Sequence, residues 1–414
     1  MIDAALMSLL LLRPLRQAPF ALLWGGLATA ETGSQLFAVV LSWVAVGLFG
    51  TAAGYLAALQ AGVTLLTALL VGRWADRFEP RRLMIGADIS CTLTLLVMVA
   101  AWLAGGAPAA WSLVLCVLVI AAAQALYGPA LQATVPRLAR DPALLPAVNA
   151  LLDTTECIAR LLGPGLVSVA GALLPLVHFV TINAATFVVS ALAVTGVLWL
   201  RPEPMLAPTH QAGLFASVLR GFFAVRRHPL LGFWLMRTGI IRGIWYATFY
   251  LGLPLMLVAG GEGLSAYGLV MSAYGVGNLA TTLVVGSRGQ VPRPARLMFG
   301  GSFVVGAGII AMSLAGLFIP ARWLLPACIG TSVVAAFGGP MRDITAATLR
   351  QTELPYADLA AAVRAFMVMN YLGTLIALLA APRIFDAIGV APAMLLGGAV
   401  IFTVAASGWW RFRG

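Results

Sequence analysis

Two stretches decide how this chain reads: GRWADRFEPRRLMIG, from Gly72 to Gly86, and GSRGQVPRPARLMFG, from Gly286 to Gly300. Each runs Gly, nine residues, then Arg-Leu-Met-x-Gly, and they stand 214 residues apart in a chain of 414. Gly128-Pro129 returns as Gly339-Pro340 at an offset of 211, so the repeat is more than one chance match. Two copies of one unit, joined head to tail, are implied. The unit is apolar. Hydrophobic residues make up 61% of the chain and charged residues 9%, against roughly 25% charged in an ordinary soluble domain. That excludes a soluble enzyme and leaves an integral membrane protein with short loops.

Working outward from the repeat, twelve apolar segments emerge: 18–48, 52–72, 83–104, 110–136, 146–173, 175–199, 229–258, 264–286, 297–319, 322–348, 358–381 and 391–411. The fold expected is therefore an all-α membrane protein of twelve transmembrane helices in two six-helix halves, 1–200 and 229–414. Residues 201–228 form a cytoplasmic linker that carries a surface helix. Two such halves related by an axis along the membrane normal are the architecture of a secondary transporter, with substrate held near the midplane. The first residues, MIDAALMSLLLLRPLRQAP, carry Asp3 where a signal peptide would be basic, so they read as a segment lying along the inner surface or as a misassigned start.

All 25 basic residues are arginine, and the net charge is +11. With the N-terminus inside, eighteen arginines fall in cytoplasmic segments, Arg73, Arg77, Arg81, Arg82, Arg293 and Arg296 among them, and two, Arg322 and Arg383, on the other face. The excess is a topology signal that puts both termini in the cytoplasm of a prokaryote's inner membrane, and no nucleic-acid partner is needed to explain it. Four cysteines, Cys91, Cys116, Cys157 and Cys328, lie far apart without CxxC spacing, so neither a disulfide framework nor a metal site is expected. No cofactor is expected either.

The stretch GRWADRFEPRR resembles the loop signature of the major facilitator superfamily: Gly, a few residues, Asp-Arg, then a basic pair. Gly72, Asp76, Arg77, Arg81 and Arg82 stand at the matching positions. Around Gly128, YGPALQATVPRL, AVNALL, ARLLGPGL and INAATFVVSAL follow in the order typical of the drug:proton antiporter branch, which includes macrolide and enterobactin exporters. RTGIIRGIWYATFYLGLPLM with YGLVMSAYGVGNLA is similar to the seventh and eighth spans of enterobactin-exporter-like members. The resemblance implies a substrate cavity lined by spans one, four, seven and ten. It makes Arg160, Gly163, Pro164 and Gly165 an antiporter-like motif; read physically, the same proline is a kink between glycines that let a neighbouring span approach.

In the loop, Asp76 can accept from a helix N-terminus, while Arg77, Arg81 and Arg82 can bridge to acids or to lipid phosphate. Such contacts form in one state and break in the other, which suits a gate; the alternative is that they only hold topology. The second copy has Gln290 where the first has Asp76, so a one-sided lock is implied. Asp88, just after the loop, is expected to pair with its arginines.

Charges inside a bilayer are costly and functional by default. Span five carries Asp153, Glu156 and Arg160 on one helical face, with Glu156 and Arg160 able to neutralise each other. Glu31 and Arg242 are offset by 211 residues, each about 13 residues into its span and so roughly 20 Å deep. A salt bridge between them, a shared substrate site, or chance are the competing readings. The proton-coupling candidates are Glu31, Asp153 and Glu156. The cavity candidates are Gln35, Gln124, Tyr127, Arg237, Arg242, Tyr246, Asn278 and Asp343, with most aromatics also serving as packing. Arg237 lies about 140° around the helix from Arg242, so both cannot face one cavity.

The function expected is proton-coupled export of a small amphipathic organic compound, a drug or siderophore, with protons and membrane lipid as the other partners of a monomer. The alternatives are lysophospholipid or solute movement in another mode, and a sensor without flux. An enzyme is not expected: His178, His210 and His228 lie in unrelated contexts, and neither HExxH nor GxSxG occurs.

Overall fold

The computed structural model describes residues 13–70, 78–138, 145–201, 214–286 and 293–412. Among them the regular structure is helical: α1 (Ala18–Phe49), α2 (Ala53–Leu70), α3 (Pro80–Gly105), α4 (Ala110–Leu138), α5 (Leu145–Ala170), α6 (Leu176–Leu200), α7 (Leu214–Arg226), α8 (Pro229–Ala259), α9 (Leu264–Gly286), α10 (Pro294–Phe318), α11 (Ala321–Glu353), α12 (Tyr356–Ile388) and α13 (Val390–Arg411). With α7 set aside, these are the twelve predicted segments, with bounds shifted by a few residues. Ten helical segments are long and apolar enough to cross a membrane, one of them the run Ala18–Leu70 that holds both α1 and α2. The exception among the twelve is α5, whose charged trio Asp153, Glu156 and Arg160 sits mid-helix. Large apolar side chains such as Trp199 and Phe318 stand about four-fifths exposed, as lipid-facing residues do.

Two compact units are distinguished by their internal packing. The first draws on residues 1–38, 66–163 and 174–211, the second on 39–65, 164–173 and 212–414. In the first, α3 packs on α4 and α6. Its core gathers Phe20 and Leu23 from α1, Met84 from α3, Val135 and Leu138 from α4, Val148 and Leu151 from α5, and Val194 and Val197 from α6.

In the second unit, α10 packs on α11 and α13, α9 on α11, and α8 on α12. The crossing of α8 and α12 is closed by glycine: Gly239 and Gly243, one turn apart, meet Gly373 backbone to backbone. Small residues at that spacing let two helices approach where a bilayer offers no hydrophobic drive. The amphipathic α7 is docked along α12. Arg220 binds Asp358 at 2.8 Å, Arg364 Nε donates to Ser217 at 2.9 Å, and Gly221 fits under the Ala361 carbonyl.

The same unit takes in the Gly50 ends of α1 and α2 and the end of α5 after Pro164. Trp43 stacks on Tyr267 at 6.1 Å, Thr51 donates to Asp386 at 2.8 Å, and Gly54 lies against Leu251 and Pro382. On α9, a Cβ at Gly268 would come within 2.8 Å of Pro164 O and Ser168 N. About two-thirds of the way along α8, Thr248–Gly252 forms a π turn. Pro254 follows it and has no N–H, so this stretch is a main-chain donor short, and the carbonyls of Phe249 and Tyr250 each accept from a side chain. Tyr267 Oη donates to the first at 3.0 Å, and Ser42 Oγ donates to the second. That satisfies two main-chain acceptors where water is scarce.

Candidate functional site

In the first unit α1 positions Glu31 a little under halfway along its length. Its Oε1 accepts from Gln35 Nε2, one turn on, at 2.8 Å. The α5 helix crosses α1 at Gly163, where a Cβ would lie 2.6 Å from Leu36 N, so glycine is what allows the approach. A second tie is Trp24 Nε1 donating to Thr155 at 2.8 Å. The crossing brings the charged face of α5 beside Glu31: Arg160 is bound to Glu156, and both act electrostatically on Glu31. Asp153 interacts with the same pair. The four predicted charges Glu31, Asp153, Glu156 and Arg160 thus form one cluster. Sequence spacing joined only the three on α5, because the glycine crossing that adds Glu31 is a tertiary contact.

On α4, Gln124 is exposed and Tyr127 Oη lies 3.3 Å from Ser190 Oγ on α6. Ser190 also hydrogen-bonds Asp88, which is 2% exposed and whose Oδ2 has no partner among the described residues. The expected pairing of Asp88 with the loop arginines is corrected for the two that are described. Arg81 and Arg82 bind Glu79 instead, and Asp88, two turns further along α3, is turned into the bundle toward α6. Arg81 is nearly wholly buried, with Nε 2.6 Å from Glu79 Oε1, and it also donates to the Arg201 carbonyl at the end of α6. Arg82 is exposed and reaches Glu79 at 3.3 Å. Gly72, Asp76 and Arg77 of the same motif, and Gln290 of its second copy, lie outside the described residues.

In the second unit an aromatic nest surrounds Trp245 of α8. Its ring lies 5.0 Å from Tyr246, 5.7 Å from Tyr250 and 5.6 Å from Tyr274, and its Nε1 donates to Tyr274 Oη at 3.0 Å. Arg242, one turn before, stands over Tyr246 at 5.3 Å. The α11 backbone meets this nest at Gly339, where a Cβ would sit 3.4 Å from Asn278 Nδ2 and 3.6 Å from Tyr274 Oη. Arg242, Tyr246 and Asn278 are therefore gathered around one surface, with Gly339 its unforeseen fourth side; the Gly-Pro repeat was the only sequence signal for it. Asp343 binds its neighbour Arg342 through both oxygens, at 2.8 and 3.0 Å, while Arg342 stands 5.9 Å from the Trp234 ring. Arg237 turns away from this nest, toward α13, with its guanidinium 3.6 Å over the Phe233 ring. In the motif of α5, Pro164 lies within the helix, and Gly165 would place a Cβ 3.3 Å from Ser272.

The model of the Major Facilitator Superfamily matches residues 23–378. The chain belongs to that superfamily. No curated protein matches the sequence. Solved structures that share the fold include a mutant of the nucleoside transporter NupG, at 13% identity and TM-score 0.72, covering 94% of this chain and all of that one. A POT family transporter in complex with 5-aminolevulinic acid aligns at 13% identity and TM-score 0.70, over 94% of this chain and 96% of the other. A POT family transporter bound to a thioalcohol-conjugated peptide gives 12% and 0.68, over 93% and 94%. At such identities the likeness is one of fold. Fold and family together make the chain a multi-pass membrane transporter of the major facilitator type.

Proposed function

We propose that this major facilitator protein exports a small amphipathic organic compound, of the drug or siderophore class, in exchange for protons by alternating access. The observation that carries this reading is the Glu31 cluster: a carboxylate within α1, held by Gln35, beside the ion pair Glu156–Arg160 and the second acid Asp153. An acid whose charged neighbours sit on a different helix changes surroundings when that helix shifts, so its proton affinity follows conformation. Glu31 is the proton carrier in this reading, and Asp153 is its deputy. The nest of Arg242, Tyr246, Tyr250, Tyr274 and Asn278 offers aromatic faces beside one cation, which suits a flat, amphipathic and anionic or zwitterionic compound. The two six-span halves 1–200 and 229–414, with 201–228 between them, rock as a monomer whose termini are both cytoplasmic. Asp76 and the arginines after it fasten one state.

The test is transport by purified protein in proteoliposomes with an imposed pH gradient, run over a panel of drugs and siderophores with and without an uncoupler. Accumulation against the substrate gradient that collapses with the uncoupler is expected. Accumulation untouched by the uncoupler, or flux in the direction of uptake alone, removes proton-driven export.

A further inference from the structure

A groove of about 680 Å3 runs along the outside of the second unit between α8 and α13, lined by Phe233 and Arg237 on one wall and Thr403, Ser407, Trp410 and Arg411 on the other. Its α13 wall follows the helical spacing of three and four residues, and that stripe is exposed. An exposed stripe on a helix long and apolar enough to span a membrane suits contact with lipid, and Trp410, 74% exposed, is of the residue type that anchors at a membrane interface.

The charged groups of the groove are two cations, and its two hydroxyls, of Thr403 and Ser407, are spent on carbonyls of their own helix. Arg237 lies eight residues into α8, roughly 12 Å from its start. Its guanidinium covers one ring, Phe233, at 3.6 Å, and Arg411 approaches the same ring at 5.7 Å. Arg237 Nη1 donates to the Phe233 carbonyl at 3.3 Å, and among the described residues neither arginine forms a salt bridge. Two like charges around one ring repel, and an uncompensated charge at a bilayer face is costly. A bound anion would relieve both.

We propose that this groove is a binding site for an anionic phospholipid, whose phosphate bridges Arg237 and Arg411 while an acyl chain lies along the α13 stripe. Guanidinium groups match phosphate oxygens in fork geometry, and the apolar floor with its exposed tryptophan favours a phosphate that carries a chain over a free ion. Basic pockets between spanning helices are where such headgroups settle. The site shares no residue with the Glu31 cluster or the aromatic nest, so it does not depend on which compound is carried.

Native mass spectrometry of the full-length protein, titrated with phosphatidylglycerol or phosphatidylcholine, tests it. Wild type should retain phosphatidylglycerol over phosphatidylcholine. Arg237→Gln with Arg411→Gln should lower phosphatidylglycerol affinity by about tenfold or more, the worth of lost charge-assisted bonds. Arg237→Lys with Arg411→Lys should keep part of the preference. If the double glutamine variant does not stay folded, each single variant carries the same comparison. Equal binding of the two lipids overturns the proposal, as does a glutamine variant that binds like wild type. Displacement of phosphatidylglycerol by inorganic phosphate alone would make this a site for soluble anions and overturn the lipid assignment.

Discussion

Gly239 of α8 and Gly373 of α12 lie in direct backbone contact, so that a methyl group on Gly373 would overlap the Gly239 carbonyl. Gly373→Ala should therefore force the two helices apart, at an overpacking cost of roughly 1–3 kcal/mol. Melting of the purified protein in detergent should show a lower midpoint, while alanine at Gly330, which has open space around it, should leave the midpoint in place. Equal midpoints for Gly373→Ala and wild type would sink the close-crossing account.

The buried Arg81 holds Glu79 and the end of α6 together. Arg81→Leu should cost about 3–5 kcal/mol, because it takes the buried partner from a carboxylate that is itself mostly buried and leaves it only the exposed Arg82. Arg82→Leu, at the exposed neighbouring position, should cost under about 1 kcal/mol. Denaturation of the two variants side by side measures the difference, and comparable losses would contradict it.

The twelve apolar helices and the short helix ahead of the seventh were legible, to within a few residues at most ends, because hydropathy and length are local properties of the chain. The site was legible only in part. Spacing by three and four put Asp153, Glu156 and Arg160 on one face of α5, but nothing in one dimension announces that Gly163 lets α1 bring Glu31 to them. Asp88 was misjudged for a related reason: nearness in sequence to Arg81 and Arg82 suggested pairing, whereas Glu79 takes both and the turn of α3 directs Asp88 to Ser190.

Glu31→Gln mimics the protonated acid and keeps a partner for Gln35. Substrate should still exchange down its gradient, while accumulation driven by a pH gradient should fall to background. A variant that still concentrates substrate in response to ΔpH would move the proton elsewhere, and Asp153→Asn is the next to measure.

Gly268 of α9 nests against Pro164 and Ser168 of α5. Gly268→Val should penalise this packed arrangement by an amount of order 1–3 kcal/mol, which would shift a two-state balance by about 5- to 150-fold toward the opened form. A cysteine placed beside Glu262 reports it: external labelling should accelerate in the variant. Labelling at the wild-type rate would count against a seal at this contact.

The proposed topology, with both termini cytoplasmic, rests on the arginine asymmetry and can be tested directly. Membrane-impermeant reagent should reach cysteines introduced beside Glu262 and Asp386 and should miss those beside Arg293. Labelling beside Arg293 from outside would invert the topology.

The latch that ties Ser42 and Tyr267 to the π turn of α8 grips main chain, not side chain. Every residue type offers the same carbonyl, so positions 249 and 250 are free to diverge, and to reshape the aromatic nest, without loosening the fastening. The burden of keeping it falls on the two hydroxyl donors and on the proline, whose missing N–H leaves the turn a donor short. The fastening and the side chains at 249 and 250 are thereby independent, and one can change by single mutations while the other persists.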